Sequence, residues 1–162
     1  MEKEKGSMSV FVFLAAAVAG ADLLLKERTV KDMKPGEERR LFGGRLLYRR
    51  VHNPGFAMSR LKEYPKLVKG ASLAAGAVLA AGWFRQGRQK GHLLEKAGLA
   101  LMSGGAVGNG YDRLFRGYVV DYIGFPWKKE SLRKITWNVA DLALLAGGLL
   151  WGAASWLSGG KK

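Results

Sequence analysis

The sequence predicts a mainly α integral membrane protein with four transmembrane helices and a small β-sheet between the first two. Three observations carry this. Apolar and charged residues are segregated along the chain, in which 48% of residues are hydrophobic and 25% charged. The apolar stretches approach the roughly 20 residues that a helix needs to cross a bilayer. They are also rich in Ala and Gly, which lets helices approach closely where lipid supplies no hydrophobic drive between them. At 162 residues, with no sign of two cores joined by a disordered linker, the chain reads as one membrane-embedded domain, 1–162.

The first span, 9–25 (SVFVFLAAAVAGADLLL), is apolar except for Asp22. Ala19-Gly20-Ala21 after an apolar core also has the outline of a cleavable signal peptide. Against that, residues 1–8 balance Glu2 and Glu4 with Lys3 and Lys5, and further apolar spans follow. Residues 26–66 are polar, and Pro35-Gly36 and Gly43-Gly44 are turn signals around the β-like run 45–52, so a small sheet is expected here. The second span is 68–84 and the third 93–107, both dominated by Ala, Gly and Leu and joined by a short basic link containing Arg85, Arg88 and Lys90. The fourth, 136–157, is the longest, with Asn138 and Asp141 near its start and Trp151 and Trp156 toward its end, where interfacial aromatics sit. Four crossings put both termini on one side. The excess of Lys and Arg in 26–66 favours the cytoplasm for that loop by the positive-inside rule.

Composition excludes several chemistries. There is no cysteine, so disulfides, thiolate catalysis and cysteine metal sites are absent. A net charge of +14 raises nucleic acid as a partner, yet apolar runs separate the basic clusters, so anionic lipid headgroups are the better counterpart and no nucleic acid is expected. Only His52 and His92 are available as imidazole ligands, far apart and without helical spacing, so neither a metal nor a cofactor is expected. The serines show no nucleophile elbow, and no P-loop or dinucleotide fingerprint occurs.

Acids within or beside a membrane span are expensive unless paired or placed on a wet cavity, so Asp22 and Asp141 require a reason. The densest polar cluster, 104–123, contains Asn109, Asp112, Arg113 and Asp121; a second, 137–141, contains Asn138 and Asp141. Gly124 and Pro126 separate Asp121 from Asp141, so the two meet only through tertiary folding. Brought together, two carboxylates share one proton, giving a general base for water and a general acid for the scissile carbonyl and leaving amine. The alternative is structural: Asp112 paired with Arg113 or Arg116, and Asp121 with a basic loop residue.

Taken in order, the motifs resemble the lipoprotein signal peptidase (signal peptidase II) family over nearly the whole chain. The resemblance rests on Asp22 and Lys26 at the end of the first span, Asn53-Pro54-Gly55-Phe56-Ala57, Gly108-Asn109-Gly110-Tyr111-Asp112-Arg113, Val119-Val120-Asp121-Tyr122-Ile123, and Asn138-Val139-Ala140-Asp141. It implies a four-helix aspartyl endopeptidase of the bacterial cytoplasmic membrane, multi-pass with both termini cytoplasmic and the sheet extracytoplasmic. This orientation is opposite to the charge count. The implied reaction is removal of the signal peptide from diacylglyceryl-modified prolipoproteins, cleaving before the lipidated cysteine, by a monomer in contact with membrane lipids. Asp121 and Asp141 match the catalytic aspartates. Asn53, Asn109, Arg113 and Asn138 match polar positions around them, and Asp112 and Asp22 match supporting acids. Pro54, Met58, Trp137 and Leu142 depart from the family pattern, which bears on pocket shape and specificity. The competing class is a noncatalytic four-span lipid-binding or scaffold protein.

Overall fold

The computed structural model describes residues 2–55, 61, 63–87 and 89–159, with side chains from Met8 onward. Phe56, Ala57 and Met58 of the second motif lie outside the described residues. In chain order the elements are helix α1 (Glu2–Asp32), strand β1 (Glu38–Leu41), strand β2 (Leu46–Asn53), helices α2 (Pro65–Gln86) and α3 (Leu93–Tyr111), a π-helical turn (Asp112–Arg116), strand β3 (Val119–Gly124), the single-turn helix α4 (Glu130–Arg133), strand β4 (Thr136–Trp137) and helix α5 (Val139–Gly159).

Among the described residues, three helices are long and apolar enough to cross a membrane, at 8–32, 65–86 and 139–158. The expected first span is therefore part of a longer helix. Its C-terminal carbonyls are capped from the sheet, where the Arg50 guanidinium donates to the carbonyls of Val30 (2.9 Å) and Met33 (2.7 Å). Pro65 opens α2 in its first turn, where its missing N–H has no helical partner to lose. The expected fourth span begins too early: Thr136 and Trp137 form β4, paired with Gly124 and Ile123, and the helix starts at Val139. The two residues are apolar enough to extend a hydropathy run, but their backbone groups belong to the sheet.

The third expected span is helical, yet α3 is not among the three helices of membrane-spanning character. It is the central helix, packed against α5, α1 and α2, and its glycines mark the closest approaches. A Cβ on Gly98 would lie 2.7 Å from the Gly147 carbonyl oxygen, and one on Gly104 would lie 2.7 Å from that of Ala15; Gly105 abuts the Ala140 carbonyl. A helix enclosed by protein needs small residues more than apolar ones.

The sheet is antiparallel in the order β1-β2-β3-β4. The hairpin expected in 26–66 is present as β1 and β2, but half of the sheet comes from residues after α3. An irregularity between Tyr48 and Val51 shifts the register of β2 on β3 and sets Val51 opposite Asp121. Tyr48 and Arg50 of β2 face the end of α1, where the Tyr48 and Thr29 hydroxyls share a hydrogen bond of 2.8 Å; Asn53 faces Asp121.

If close approach of α3 and α5 holds the bundle, Gly147→Ala lowers the thermal unfolding temperature in detergent despite the better helix propensity of Ala, because its Cβ would meet the Gly98 carbonyl at 2.6 Å. Gly152→Ala, whose Cβ meets nothing within 4 Å, leaves that temperature unchanged or raises it.

Candidate active site

The start of α5 is the point from which the site is built. Its first three N–H groups have no helical partners, and each is met by a side chain from elsewhere. Val139 N–H donates to the Tyr122 hydroxyl (3.1 Å), Ala140 N–H to Asp22 Oδ1 (3.0 Å), and Asp141 N–H to Asn138 Oδ1 (2.7 Å). Asn138 is thus the N-cap, a position that favours this residue type. Its Nδ2 donates to Asp121 Oδ1 at 2.7 Å, so one side chain fixes both the start of α5 and the carboxylate of β3.

The second oxygen of Asp121 accepts from Asn53 Nδ2 at 3.0 Å, and Asn53 Oδ1 in turn accepts from Gly55 N–H at 3.1 Å. Asp141 Oδ1 accepts from Asn109 Nδ2 at 2.7 Å. Asp121 and Asp141 both line a cavity of about 420 Å³ together with Asn53, Asn109 and Arg113 on its polar side and residues of α2 such as Ala71 and Ala75 on its apolar side. The Arg113 guanidinium also reaches the Gly55 carbonyl at 3.4 Å.

Beneath the cavity lies a buried ionic cluster. Lys26 is fully buried and pairs with Asp22 (2.7 Å) and Asp112 (3.2 Å), both also fully buried, and it donates to Asn109 Oδ1 at 2.8 Å. Asp112 further binds Arg116 (2.6 Å), whose other nitrogen reaches Glu27 (2.8 Å), and accepts from Val120 N–H (3.0 Å). Each of the two buried acids, Asp22 and Asp112, has a basic partner in Lys26 or Arg116, and Glu27, half exposed, lies on the outer side of Arg116. That matters because one missing partner in a buried ion pair costs about 3–5 kcal/mol.

Asp121, Asp141, Asn53, Asn109 and Arg113 therefore meet at one cavity, Asn138 is buried beside it and bonds Asp121 and the Asp141 N–H, and Asp22 and Asp112 lie behind it, against Lys26. Of the structural alternatives, the Asp112–Arg116 pair is present; Asp121 is held by the two amides of Asn53 and Asn138. Sequence reasoning missed Tyr122 and the central position of Lys26. The alternation of β3 carries a signal for the former, since Asp121 toward the cavity places Tyr122 on the opposite face, toward Asp22 at 3.2 Å.

Burial, and next the charge of Asp141, push the Asp121 carboxyl up to about 7, against hydrogen bonds from Asn53 and Asn138 that favour the charged form.

Apolar helices of membrane-spanning length, a sheet across their ends and two carboxylates facing one cavity have the parts of a membrane-embedded acid peptidase. The comparisons with known proteins narrow this class. The family model Peptidase_A8, signal peptidase (SPase) II, matches residues 14–157. The lipoprotein signal peptidase of Rhodococcus jostii (strain RHA1) is 34% identical over 143 residues, 85% of this chain and 67% of that protein. That of Lactobacillus johnsonii (strain CNCM I-12250 / La1 / NCC 533) is 31% identical over 146 residues, 90% of this chain and 91% of the relative. A solved bacterial membrane enzyme, obtained by the in meso method, shares the fold with a TM-score of 0.82 at 24% identity, covering 95% of this chain and 92% of that one. The chain belongs to the signal peptidase II family, an aspartic-type peptidase family of membranes.

The raised Asp121 predicts a pH effect on stability. The folded state keeps its proton up to about pH 7, whereas an unfolded carboxyl releases it near 3.8. Between these values the folded state binds more protons, so stability falls as pH rises. The unfolding temperature in detergent is expected to drop between pH 5 and pH 8, and Asp121→Asn is expected to flatten that drop; an equal slope in the variant would assign it to other groups.

Proposed function

We propose that this chain removes the signal peptide from diacylglyceryl-modified prolipoproteins, cutting before the lipidated cysteine, with Asp121 and Asp141 as the catalytic pair. The observation that carries the reading is the convergence of two carboxylates from separate elements, β3 and α5, on one cavity in a chain of this family. Asp121, biased toward its protonated form, serves as the acid, and ionised Asp141 as the base. Asp141 takes a proton from water as the oxygen adds to the scissile carbonyl, whose oxygen accepts a hydrogen bond from Asp121. Proton transfer to the nitrogen then releases the amine of the lipidated cysteine and the carboxylate of the signal peptide. Asn53 and Asn138 orient Asp121, Asn109 orients Asp141, Arg113 contacts substrate at the cavity wall, and Asp22 and Asp112 support the elements behind.

A groove of about 570 Å³ between α2 and α3 shares Ser72, Leu79, Ala106 and Arg113 with the cavity, and its remaining wall includes Leu73, Ala80, Val107 and Leu114. Its composition suits acyl chains beside a scissile bond held at the carboxylates.

In the same reading α3 is the third of four crossings, and the chain is a single membrane-embedded domain acting as a monomer. Both termini are cytoplasmic in the bacterial cytoplasmic membrane and the sheet is extracytoplasmic. Part of the basic excess of 26–66 is engaged internally, which weakens the opposing charge argument: Arg49 binds Glu38 and the Arg133 carbonyl, Arg50 caps α1, and Arg39 binds Glu37 and the Asp32 carbonyl.

In cleavage of a purified diacylglyceryl-modified prolipoprotein in detergent, Asp121→Asn and Asp141→Asn are each expected to lower turnover by about 10³-fold or more while remaining folded. Wild-type rates in either variant would remove the pair from the mechanism. For orientation, the native chain has no cysteine, so Ser131→Cys in the exposed α4 is expected to react with an impermeant thiol reagent from the outer face of the cytoplasmic membrane. Reaction only after that membrane is permeabilised reverses the topology.

A further inference from the structure

We propose that Lys26, which touches neither carboxylate of the pair, is a positioning residue that sets the amide orientation of Asn109 and so aims its donor at Asp141. The inference rests on the catalytic reading above. A lysine ammonium has three donors and no acceptor. Here it donates a hydrogen bond to Asn109 Oδ1 at 2.8 Å and is held as an ion between Asp22 Oδ2 at 2.7 Å and Asp112 Oδ2 at 3.2 Å. Asn109 is itself 3% exposed, so its amide is held by protein groups on both sides. Turning that amide by half a rotation would set its NH₂ against the ammonium and its carbonyl oxygen against Asp141 Oδ1, placing donor on donor and acceptor on acceptor. The arrangement with oxygen toward Lys26 and Nδ2 toward Asp141, at 2.7 Å, is the one that satisfies both.

The geometry behind Lys26 is equally constrained. Asp22 lies so close to α3 that a Cβ on Gly108 would sit 2.5 Å from Asp22 Oδ2, so the Asp22–Lys26 pair reaches Asn109 because residue 108 is glycine. Asp112 is neutralised on its far side by Arg116 at 2.6 Å, and its Oδ2 also accepts from Val120 N–H, next to Asp121 in β3. The ammonium is therefore held at a defined point, and the chain of contacts from Lys26 through Asn109 to Asp141 contains no freely rotating group. In the catalytic reading it keeps one hydrogen bond on Asp141 Oδ1, leaving Oδ2 for the attacking water.

Lys26→Met alone leaves two buried acids beside one remaining base, so folding is a concern. K26M/D22N removes the ammonium and one acid together, leaves Asp112 with Arg116, and retains a carbonyl oxygen able to accept from Ala140 N–H. The test is a cycle of K26M/D22N, Asn109→Ala and their combination, measured as kcat and KM on a diacylglyceryl-modified prolipoprotein. Each is expected to lower kcat by about 10²-fold with KM little changed, and the combination to be no more than about threefold worse than Asn109→Ala, because Lys26 acts through that residue. Losses that multiply to about 10⁴-fold would overturn the inference, as would a K26M/D22N variant with wild-type kcat. A second readout needs no turnover. In thermal unfolding, Asp141→Asn and K26M/D22N are expected to be non-additive, and additive shifts overturn the proposal even if the wild type cleaves nothing. Failure of wild-type cleavage alone would count against the proposed reaction and leave this unfolding test standing.

Discussion

A lysine with no exposed surface, inside a helix of membrane-spanning length, is the constraint around which the rest of the molecule is arranged. An ammonium so placed requires acceptors on every donor and an opposite charge nearby, or it does not stay charged. Lys26 obtains one acid from its own helix, four residues back, and the second from the turn that follows α3. Each acid then has oxygens left to satisfy. Asp22 takes the N–H of Ala140 at the start of α5, and Asp112 takes the N–H of Val120 in β3. From one buried charge, four elements are tied to a common point.

The same point is where helix packing is tightest. Glycine at 104 and 105 lets α3 approach α1 and α5 to backbone contact, and glycine at 108 leaves room for the Asp22 side chain. This places Asn109, one residue further, within reach of Lys26 on one side and Asp141 on the other. Small residues on α3 thus serve two ends at once: dispersion contact between helices, and a polar side chain delivered between two charged groups. A bulkier α3 would separate α1 from α5 and leave Lys26 and Asp141 without a common neighbour.

The helices were legible because their signal is local. Apolar runs flanked by charges marked the first two spans, and the third emerged as a helix from the same Ala, Gly and Leu pattern, although its role as the enclosed centre is a property of packing and not of hydropathy. The start of the fourth was not legible. Thr136 and Trp137 extend its apolar run, and only pairing with β3, a long-range contact, assigns them to the sheet. The sheet was half visible for the same reason: Pro35-Gly36 and Gly43-Gly44 announce a hairpin, whereas β3 and β4 follow two helices and reveal themselves through register. Among the site residues, types and motif order identified what meets at the cavity. What the order of motifs does not contain is direction. That Asn138 faces both Asp121 and the Asp141 N–H, or that Asn53 turns away from the Tyr48 face of β2, follows from the irregularity in β2 and from the N-cap geometry of α5.

The two carboxylates stand in different settings, and the difference follows from the elements that carry them. Asp121 sits on a strand, and strands have little net dipole; its two oxygens are held by two neutral amides, Asn53 and Asn138. Asp141 sits in the first turn of a helix, where the unpaired N–H groups carry partial positive charge. Its carboxylate accepts a hydrogen bond from the Asn109 amide, which is backed by the Lys26 ammonium. Positive potential is therefore concentrated on the Asp141 side. For the proposed pair this favours keeping the proton on the strand carboxylate. In the proposed reaction this separates the acid from the base before substrate arrives, and it does so with groups whose positions are already required to keep Lys26 buried. The asymmetry of the pair is thus a consequence of how the bundle closes around one ammonium.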